Sequence, residues 1–371
     1  MMLLEKISAC WDYFIKAKLP EKSKSSPKCR FPLLQLPRVV LLECIENLDV
    51  LEIIQFSLLS KRAKSIAKLI RWSPLNIRLL HAVDGSFLIC LRLSTDPGVI
   101  WFIAYSNQKK SSGYPYFQSS LFGPKVNHFL FQWCDGSVIE DIKQMVGHIC
   151  EVFCSSINGI DIVEQSLIEW IIKFQPTIPH VWIMKGVITS SESLDHTLKN
   201  LKVTEHLGLQ STAIDERFEI TNPISSRFIT IDGSNWITLP SILNGNNSVI
   251  VLNDSMLTPM DINTILKEWQ KGSKLQNLEY MRIYTTTLLD AESYITEAFK
   301  DLNFTDDVGN DERPTTVERD DERTQTLPET DMVFNLIRSD GMILSIFGHY
   351  DVFEDEKIDM LLHLQVWRPQ V

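Results

Sequence analysis

The stretch FPLLQLPRVVLLECIENLDVLEIIQFSLLSKRAKSIAKLI, from Phe31 to Ile70, decides how the chain begins to fold. It contains three short helical patterns behind a Leu-Pro entry. Pro37 suits the mouth of the first helix, because its missing N–H costs nothing there and its fixed φ fits a first turn. Apolar residues then recur at helical spacing, which predicts one apolar stripe along that helix. The stripe consists of Val40, Leu41, Cys44, Ile45 and Leu48.

Two further helices follow. Asp49 is a plausible N-cap for the second helix, and Ser57 or Ser60 can end it and cap the third. Helices shorter than about 12–15 residues are marginal in water. The segment also holds more aliphatic residues than a three-helix unit of this size can bury. The pattern therefore favours a docking module over an ordinary helical subdomain. The second helix places Leu51, Ile54 and Leu58 on one face, and the third places Ala63, Ile66, Ala67 and Ile70 there, with Lys61, Arg62, Lys64 and Lys68 on its solvated side.

These residues resemble an F-box, most closely that of the nematode family in which an F-box is joined to a type-2 F-box-associated domain. The resemblance implies binding to the Skp-type adaptor of SCF ubiquitin ligases, and through it to cullin and RING subunits. It also implies which side chains are used. The adaptor contact would be lined by Leu33, Leu36, Pro37, Val40, Leu41, Cys44 and Ile45. The rest of that contact, and the core of the F-box itself, would come from Leu51, Ile54, Leu58, Ala63 and Ile66.

Length and composition set the domain plan. A chain of 371 residues predicts two domains, or one domain and a small module. We expect a flexible leader over residues 1–30, an F-box over 31–72 and an F-box-associated domain over 73–371. No apolar run is long enough to predict a membrane span, and the first residues do not form a signal peptide. The seven cysteines then predict reduced thiols in the cytoplasm or nucleus.

An acidic stretch interrupts the second half of the chain. Residues 305–331 contain ten acids and three arginines, and the whole chain has a net charge of −11. Its aliphatic residues are Val308, Val317 and Leu327. So few apolar residues predict a disordered surface insertion, either tolerated or regulatory. No basic face is interleaved with aromatic residues, so nucleic-acid binding is not expected.

Strand and helix patterns alternate through the rest of the chain. Strands are predicted at 181–184, 203–209, 248–254 and 278–283, with helices beginning at Ser191 and after Thr258, where Pro259 follows the N-cap. An internal echo pairs the Asp161-Ile162 region with the Asp261-Ile262 region. Strand–helix–strand units predict parallel strands with right-handed crossovers. The sequence thus predicts an α/β protein: an all-α F-box followed by an irregular leucine-rich-repeat-like domain, with a compact α/β domain as the alternative.

This region also resembles the type-2 F-box-associated domain. The resemblance rests on the stretch from Asn235 to Tyr280 and on a closing hairpin with an Asp340-Gly341 turn, which the turn dipeptide predicts independently. It is less distinct over residues 81–158. Trp236 and Trp269 are expected in the core. A substrate surface is expected on loops or on an exposed strand face.

Catalytic chemistry is not predicted. The sequence has no phosphate-binding glycine loop, nucleophile elbow or HExxH helix. His148, Cys150 and Cys154 resemble metal ligands, but no CxxC pair completes a zinc site, so buried structural thiols are favoured. Neither a cofactor nor a metal is expected. The predicted function is a non-catalytic substrate receptor of an SCF-type ligase. The alternatives are an F-box protein acting outside a ligase and a repeat scaffold.

Overall fold

A computed structural model describes residues 33–70, 74–82, 84–106, 116–122, 125–134, 136–210, 224–307, 313–320, 323–330, 332–352 and 357–368. The predicted leader lies outside these ranges. The described residues form two compact units. The first comprises the chain up to Pro74 together with Gly147–Ser155, and the second comprises Leu75–Val146 and Ser156 onward. Among the described residues, no helix is long and apolar enough to cross a membrane.

The first unit contains three consecutive helices behind a short 3-10 turn at Leu33–Gln35. The helices are α1 (Arg38–Glu46), α2 (Val50–Leu58) and α3 (Lys61–Ala67). The unit is completed by Gly147–Ser155, which includes the last residues of α4 (Val138–Phe153). The predicted three-helix module is confirmed, and its helices are as short as the sequence indicates.

The second unit is built on one large sheet. The remaining helices are α5 (Gln165–Phe174), α6 (Ser191–Asn200), α7 (Leu239–Leu243), α8 (Pro259–Gln270) and α9 (Ala291–Ala298). The strands up to the acidic stretch are β1 (Leu75–His81), β2 (Phe87–Leu93), β3 (Asp96–Ser106), β4 (Tyr116–Phe122), β5 (Lys125–Trp133), β6 (Ile157–Ile162), β7 (Thr177–Ile183), β8 (Lys202–Leu209), β9 (Phe228–Ile231), β10 (Val249–Leu252) and β11 (Tyr280–Thr287). Those that follow are β12 (Thr305–Asp307), β13 (Thr316–Asp320), β14 (Arg323–Thr326), β15 (Val333–Ile337), β16 (Ile343–Val352) and β17 (Ile358–Trp367).

Fifteen of these strands form a single sheet in the order β12-β15-β16-β17-β11-β10-β9-β8-β7-β6-β1-β2-β3-β5-β4. β1 and β6 to β11 form a continuous run of parallel pairs, in the order β1-β6-β7-β8-β9-β10-β11. The strands that extend this run on both sides pair antiparallel, except that β3 and β5 are parallel. The coarse prediction, an all-α F-box and a mixed α/β domain with parallel strands, is confirmed.

The two faces of the parallel region differ. Because each new strand is added on the same side and such crossovers are right-handed, the connecting helices lie on one face. Both faces are buried along β9 and β10, whose side chains alternate between them. Ile229 and Ile250 face α7, where Ile242 helps to line a small cavity with them. Their neighbours Val249 and Val251 face the opposite side, which we call the helix-free face.

A hairpin of the acidic stretch packs on the helix-free face. β13 and β14 pair with each other, and Val317 and Leu327 join a buried cluster with Phe228, Val251 and Phe347. The prediction of a disordered insertion at 305–331 is wrong for its described residues. The prediction counted the aliphatic residues of the segment alone, whereas the apolar surface that buries them belongs to the sheet.

A buried histidine lies next to this cluster. The Tyr280 hydroxyl and His363 Nδ1 are 2.7 Å apart, and the His363 ring stacks on Phe347 with 5.0 Å between centroids. The Arg313 guanidinium lies 3.9 Å from the centroid of the other ring of that stack, Phe347. Burial, reinforced by the charge of Arg282, lowers the pKa of His363 to about 4. The imidazole is therefore held neutral in the folded protein.

Most of the predicted elements are present. The strands and helices predicted between residues 181 and 283 appear with end shifts of a few residues, and Gly341 turns the closing hairpin at φ 84°. The internal echo is only half right. Asp161 lies on strand β6, whereas Asp261 lies in the first turn of α8. The two segments share a composition, but Asp161-Ile162 ends a strand and Asp261-Ile262 lies in a helix that begins after a capping threonine.

Candidate functional site

The entry to α1 exposes apolar residues. Pro37 is the residue before the first helical turn, with φ −51° and ψ 142°, and its carbonyl accepts from Leu41 N at 2.9 Å. The sequence placed it at the mouth of the helix, and the structure makes it the N-cap position. Val39 is 76% exposed and Val40 is 44% exposed. We call Pro37, Val39 and Val40, with the partly exposed Leu36 and Cys44, the α1 surface.

Further exposed aliphatic side chains lie at the helix ends of the same unit. Leu58 and Leu59 are exposed at the end of α2, and Leu69 is exposed just after α3. Ile66 is partly exposed. Large aliphatic residues in water each forgo about 1.5–3 kcal/mol that burial would provide. Their concentration on a small helical unit is typical of a protein-binding surface.

Five of the twelve predicted adaptor contacts are buried. Three of them, Leu51, Ile54 and Ala63, were assigned to the core of the F-box as well as to the contact, and their burial agrees with a core position. Direct contact of the twelve residues with an adaptor stays a prediction. The helical spacing of apolar residues predicted the apolar side of each helix, but it could not show which residues of that side are buried. The five buried residues form the support beneath the exposed residues: Leu41, Ile45, Leu51, Ile54 and Ala63. The side chain of Leu33 lies outside the described set.

Two caps fix the helices of this unit. Asp49 and Glu52 form a capping box, with Glu52 N donating to Asp49 Oδ1 at 2.8 Å and Asp49 N donating to Glu52 Oε2 at 3.0 Å. Burial raises the pKa of Glu52, although the hydrogen bond from Asp49 opposes the change. Ala63 N donates to Ser60 Oγ at 3.1 Å. Both predicted caps are confirmed, with Ser60 rather than Ser57 capping α3.

Sequence reasoning missed the residues of α4 that complete the unit. His148 Nε2 lies 2.6 Å from Ser57 Oγ, which itself donates to the Ile54 carbonyl at 2.7 Å. Since that hydroxyl hydrogen is used, the imidazole is the donor. Glu151 accepts from the ammonium groups of Lys64 and Lys68, and these bonds lower its pKa. No local sequence pattern predicts these contacts, because each joins residues that are more than eighty positions apart.

His148, Cys150 and Cys154, which resemble metal ligands in the sequence, do not form a metal-binding group in the structure. No group of three or more potential metal-ligating side chains occurs among the described residues. Burial raises the pKa of the Cys150 thiol to about 11, which keeps it protonated and unreactive at neutral pH. Cys90 and Cys134 are buried, while Cys154 is exposed. The expectation of buried structural thiols concerned Cys150 and Cys154; Cys150 is partly buried and Cys154 is exposed, so it is wrong for Cys154.

In the second unit, the predicted core tryptophans are confirmed. Trp236 is 1% exposed and Trp269 is fully buried on the inner face of α8. The Arg338 guanidinium lies 4.9 Å from the Trp269 ring. The α8 cap is also as predicted: Thr258 and Asp261 form a capping box, with Pro259 at the first helical position. Thr258 and Asp261 thus fix the start of α8, which follows the loop after β10.

Two regions of the chain match known protein families. The F-box domain model matches residues 33–72, which span the 3-10 turn and α1–α3. The F-box associated family matches residues 220–283, which run through β9, α7, β10 and α8 into β11. The chain thus contains one region that matches an F-box domain and another that matches a type-2 F-box-associated domain. Neither the curated proteins nor the solved structures provide a match. F-box domains generally bind Skp-type adaptors, and F-box-associated domains bind substrates.

Proposed function

We propose that this F-box protein is the substrate-recognition subunit of an SCF-type ubiquitin ligase. The F-box would bind a Skp-type adaptor and, through it, cullin and RING subunits. The F-box-associated domain would hold a target protein. The observation that carries the proposal is the α1 surface, an exposed apolar set on a unit whose own core is already filled. The family match to the same helices supports it.

The proposed mechanism is positional and non-catalytic. A substrate held near a charged conjugating enzyme reacts faster because the encounter becomes effectively intramolecular. The chain then needs two binding surfaces and no acid–base group or cofactor. The raised pKa of Cys150 agrees with this, since a thiol ligase requires an accessible thiolate. We place this activity in the cytoplasm or nucleus, where free cysteines persist.

The domain plan follows from the same proposal. Residues 1–30 would be a leader, 31–72 the F-box and 73–371 the substrate domain. Within the latter, the chain-ordered parallel strands would form a leucine-rich-repeat-like array, as their order β6-β7-β8-β9-β10-β11 favours. Such an array presents loops at one edge and a helix-free face to a partner.

The α1 surface can be tested by adding a charge to it. Val40→Asp would bury a carboxylate in an apolar contact, which costs several kcal/mol, so adaptor affinity should fall about a hundredfold. Leu36→Ala with Pro37→Ala should also abolish binding. The measurement is co-expression of the full chain with a Skp-type adaptor, followed by size-exclusion chromatography with light scattering. Ile337→Glu, an exposed position in the second unit, serves as the matched control.

The outcomes separate the candidate functions. A one-to-one complex lost in both α1 variants, with unchanged circular dichroism, supports adaptor binding. An equally strong complex in both variants would exclude the α1 surface as the contact. Cullin co-purification then distinguishes a ligase subunit from an F-box protein acting outside a ligase. A folded chain that binds no adaptor would favour the repeat scaffold.

A further inference from the structure

Four large apolar side chains are exposed at the carboxyl edge of β10 and β11. Met256 is 57% exposed in the loop after β10, and Met260 is 65% exposed in the first turn of α8. Leu288 and Leu289 are 77% and 40% exposed in the loop after β11. We call these four residues the apolar edge. β10 and β11 are parallel neighbours, so the two loops leave the sheet side by side.

The two loops are joined by hydrogen bonds. Ser255 N donates to the Tyr284 carbonyl at 2.8 Å, and Thr285 Oγ1 donates to the Ser255 carbonyl at 2.7 Å. Leu289 N donates to Thr287 Oγ1 at 3.1 Å. The backbone beneath the apolar edge is therefore ordered. The four side chains are therefore exposed on a backbone that hydrogen bonds hold in place.

Further exposed apolar side chains lie on β16, two strands from β11, although Ile358 on the intervening strand β17 is buried. Thr287 lies opposite Ile358, and Ile358 lies opposite Val352 in the next strand. Neighbouring strands are about 4.8 Å apart, so β16 ends about 10 Å from the end of β11. Val352 is 65% exposed and Tyr350 is 51% exposed. This width matches a peptide segment better than a small ligand.

Acidic groups surround the apolar edge. Asp254 and Asp290 are exposed in the two loops. Asp351 is exposed at the end of β16, on the opposite face from Val352 and on the same face as its partner Asp359. Asp359 accepts hydrogen bonds from Tyr284 and Thr286. Basic residues described near this edge include Lys357, which is exposed, Lys300, whose carbonyl accepts from Asn263 Nδ2 at 2.8 Å, and Arg282, whose guanidinium donates to Asn253 Oδ1 at 3.0 Å.

The local field shows the same excess of negative charge. The pKa of Tyr284 is raised to about 12, first by its hydrogen bond to Asp359, then by burial, and then by the charges of Asp359, Asp254 and Asp351. A negative rim repels nucleic acids and anionic membranes. It attracts a segment that carries Lys or Arg beside its apolar side chains. Methionines suit such a contact because their flexible side chains adapt to different apolar partners.

We propose that the apolar edge binds a substrate segment in which large apolar residues are flanked by Lys or Arg. The inference rests on the proposed function, because it names the class of substrate segment that the receptor would hold. The apolar side chains would cover the two methionines and two leucines, and the basic residues would meet Asp254, Asp290 and Asp351. Affinity should therefore fall as salt is raised.

The test selects peptides without assuming a sequence. Random short peptides displayed on phage are panned against the immobilised full chain. The enriched peptides should combine aromatic or aliphatic residues with Lys or Arg. An enriched peptide is then labelled, and its binding to the full chain is measured by fluorescence anisotropy at low and high salt. Replacing its basic residues by Glu should weaken binding at least about tenfold.

Variants place the binding on the molecule. Met260→Glu in the first turn of α8 suits the helix dipole and should leave the fold intact, as should Leu288→Ser in the loop. Each should weaken peptide binding about tenfold or more. Ile337→Glu should not, because Ile337 is 53% exposed and lies opposite Ile343, at the other end of β16 from Val352. Enrichment of acidic or purely polar peptides, no enrichment, or equal binding by all variants would overturn the inference.

The same variants keep this inference separate from the proposed function. Met260→Glu should still form the adaptor complex, and Val40→Asp should still bind the selected peptide. Loss of peptide binding alone leaves the ligase proposal standing. Loss of adaptor binding alone leaves the apolar edge standing as a peptide-binding surface.

Discussion

The buried imidazole of His363 should make the folded state sensitive to moderate acid. Its ordinary pKa is 6.5, and in the fold the pKa is about 4, first because the ring is buried and then because of the charges of Arg282, His349 and Arg313. The side chain is 3% exposed. Between these two pKa values the unfolded chain binds a proton that the folded chain does not. Stability from this group is therefore complete above about pH 6.5 and is lost as the pH falls toward 4.

The size of the effect follows from the two pKa values. Each pH unit in this window changes the unfolding free energy by about 1.4 kcal/mol. The whole shift corresponds to about 3 kcal/mol, a large part of the stability of an ordinary domain. His363→Phe removes the titration while keeping a ring to stack on Phe347. Between about pH 7 and pH 4, the original chain should lose about 3 kcal/mol more than this variant.

Urea unfolding followed by tryptophan fluorescence measures this difference. The comparison cancels other groups that titrate in the same range, because both proteins contain them. Tyr280→Phe is the matched control: it removes the hydrogen bond to His363 but leaves the ring buried, so the pH dependence should persist. Equal losses in the original chain and in His363→Phe would show that burial does not hold this imidazole neutral.

Two further changes test the fold. Gly348→Ala would place a Cβ 2.1 Å from the Leu361 carbonyl oxygen, so the β16–β17 pair must move, and we expect the free energy of unfolding to fall by about 3 kcal/mol in a thermal unfolding assay. In the same assay, the control Gly136→Ala should change the free energy of unfolding by less than about 0.5 kcal/mol, because its Cβ would meet no atom within 4 Å. Asp49→Ala removes the acceptor of the capping box and should cost about 1 kcal/mol, while Asp49→Asn should retain most of it. Urea unfolding of the full chain, followed by circular dichroism, measures that pair, and equal stability of Asp49→Ala and the original chain would contradict the capping argument.

The parts of the fold that the sequence could predict depend on local chemistry. Asp49, Ser60 and Thr258 all cap the helices that their positions indicate, because a cap is formed within one turn. The turn at Gly341 and the parallel crossovers were also predictable. The burial of an individual residue was not predictable from the sequence. Val40 and Ile45 share the same predicted stripe, yet one is 44% exposed and the other fully buried.

What escaped prediction depends on distant partners. The acidic stretch has too few apolar residues to form a core of its own, but Val317 and Leu327 are buried against strands that are distant in sequence. The apolar edge likewise joins the ends of separate strands, so no single stretch shows it. Its signal in the sequence was limited to the general expectation that a substrate surface uses loops. Once the register of β10, β11 and β17 is known, the exposed side chains fall together.

The first unit is discontinuous along the chain, and this has a practical consequence for dividing the protein. A peptide cut at the family boundary near residue 72 would lack His148 and Glu151, leaving the Ser57 hydroxyl and the ammonium groups of Lys64 and Lys68 without these partners. Swapping F-boxes between proteins at that boundary would separate the helices from a segment with which they pack. A weak adaptor interaction from such a fragment would then measure the loss of Gly147–Ser155 and not the quality of the docking surface.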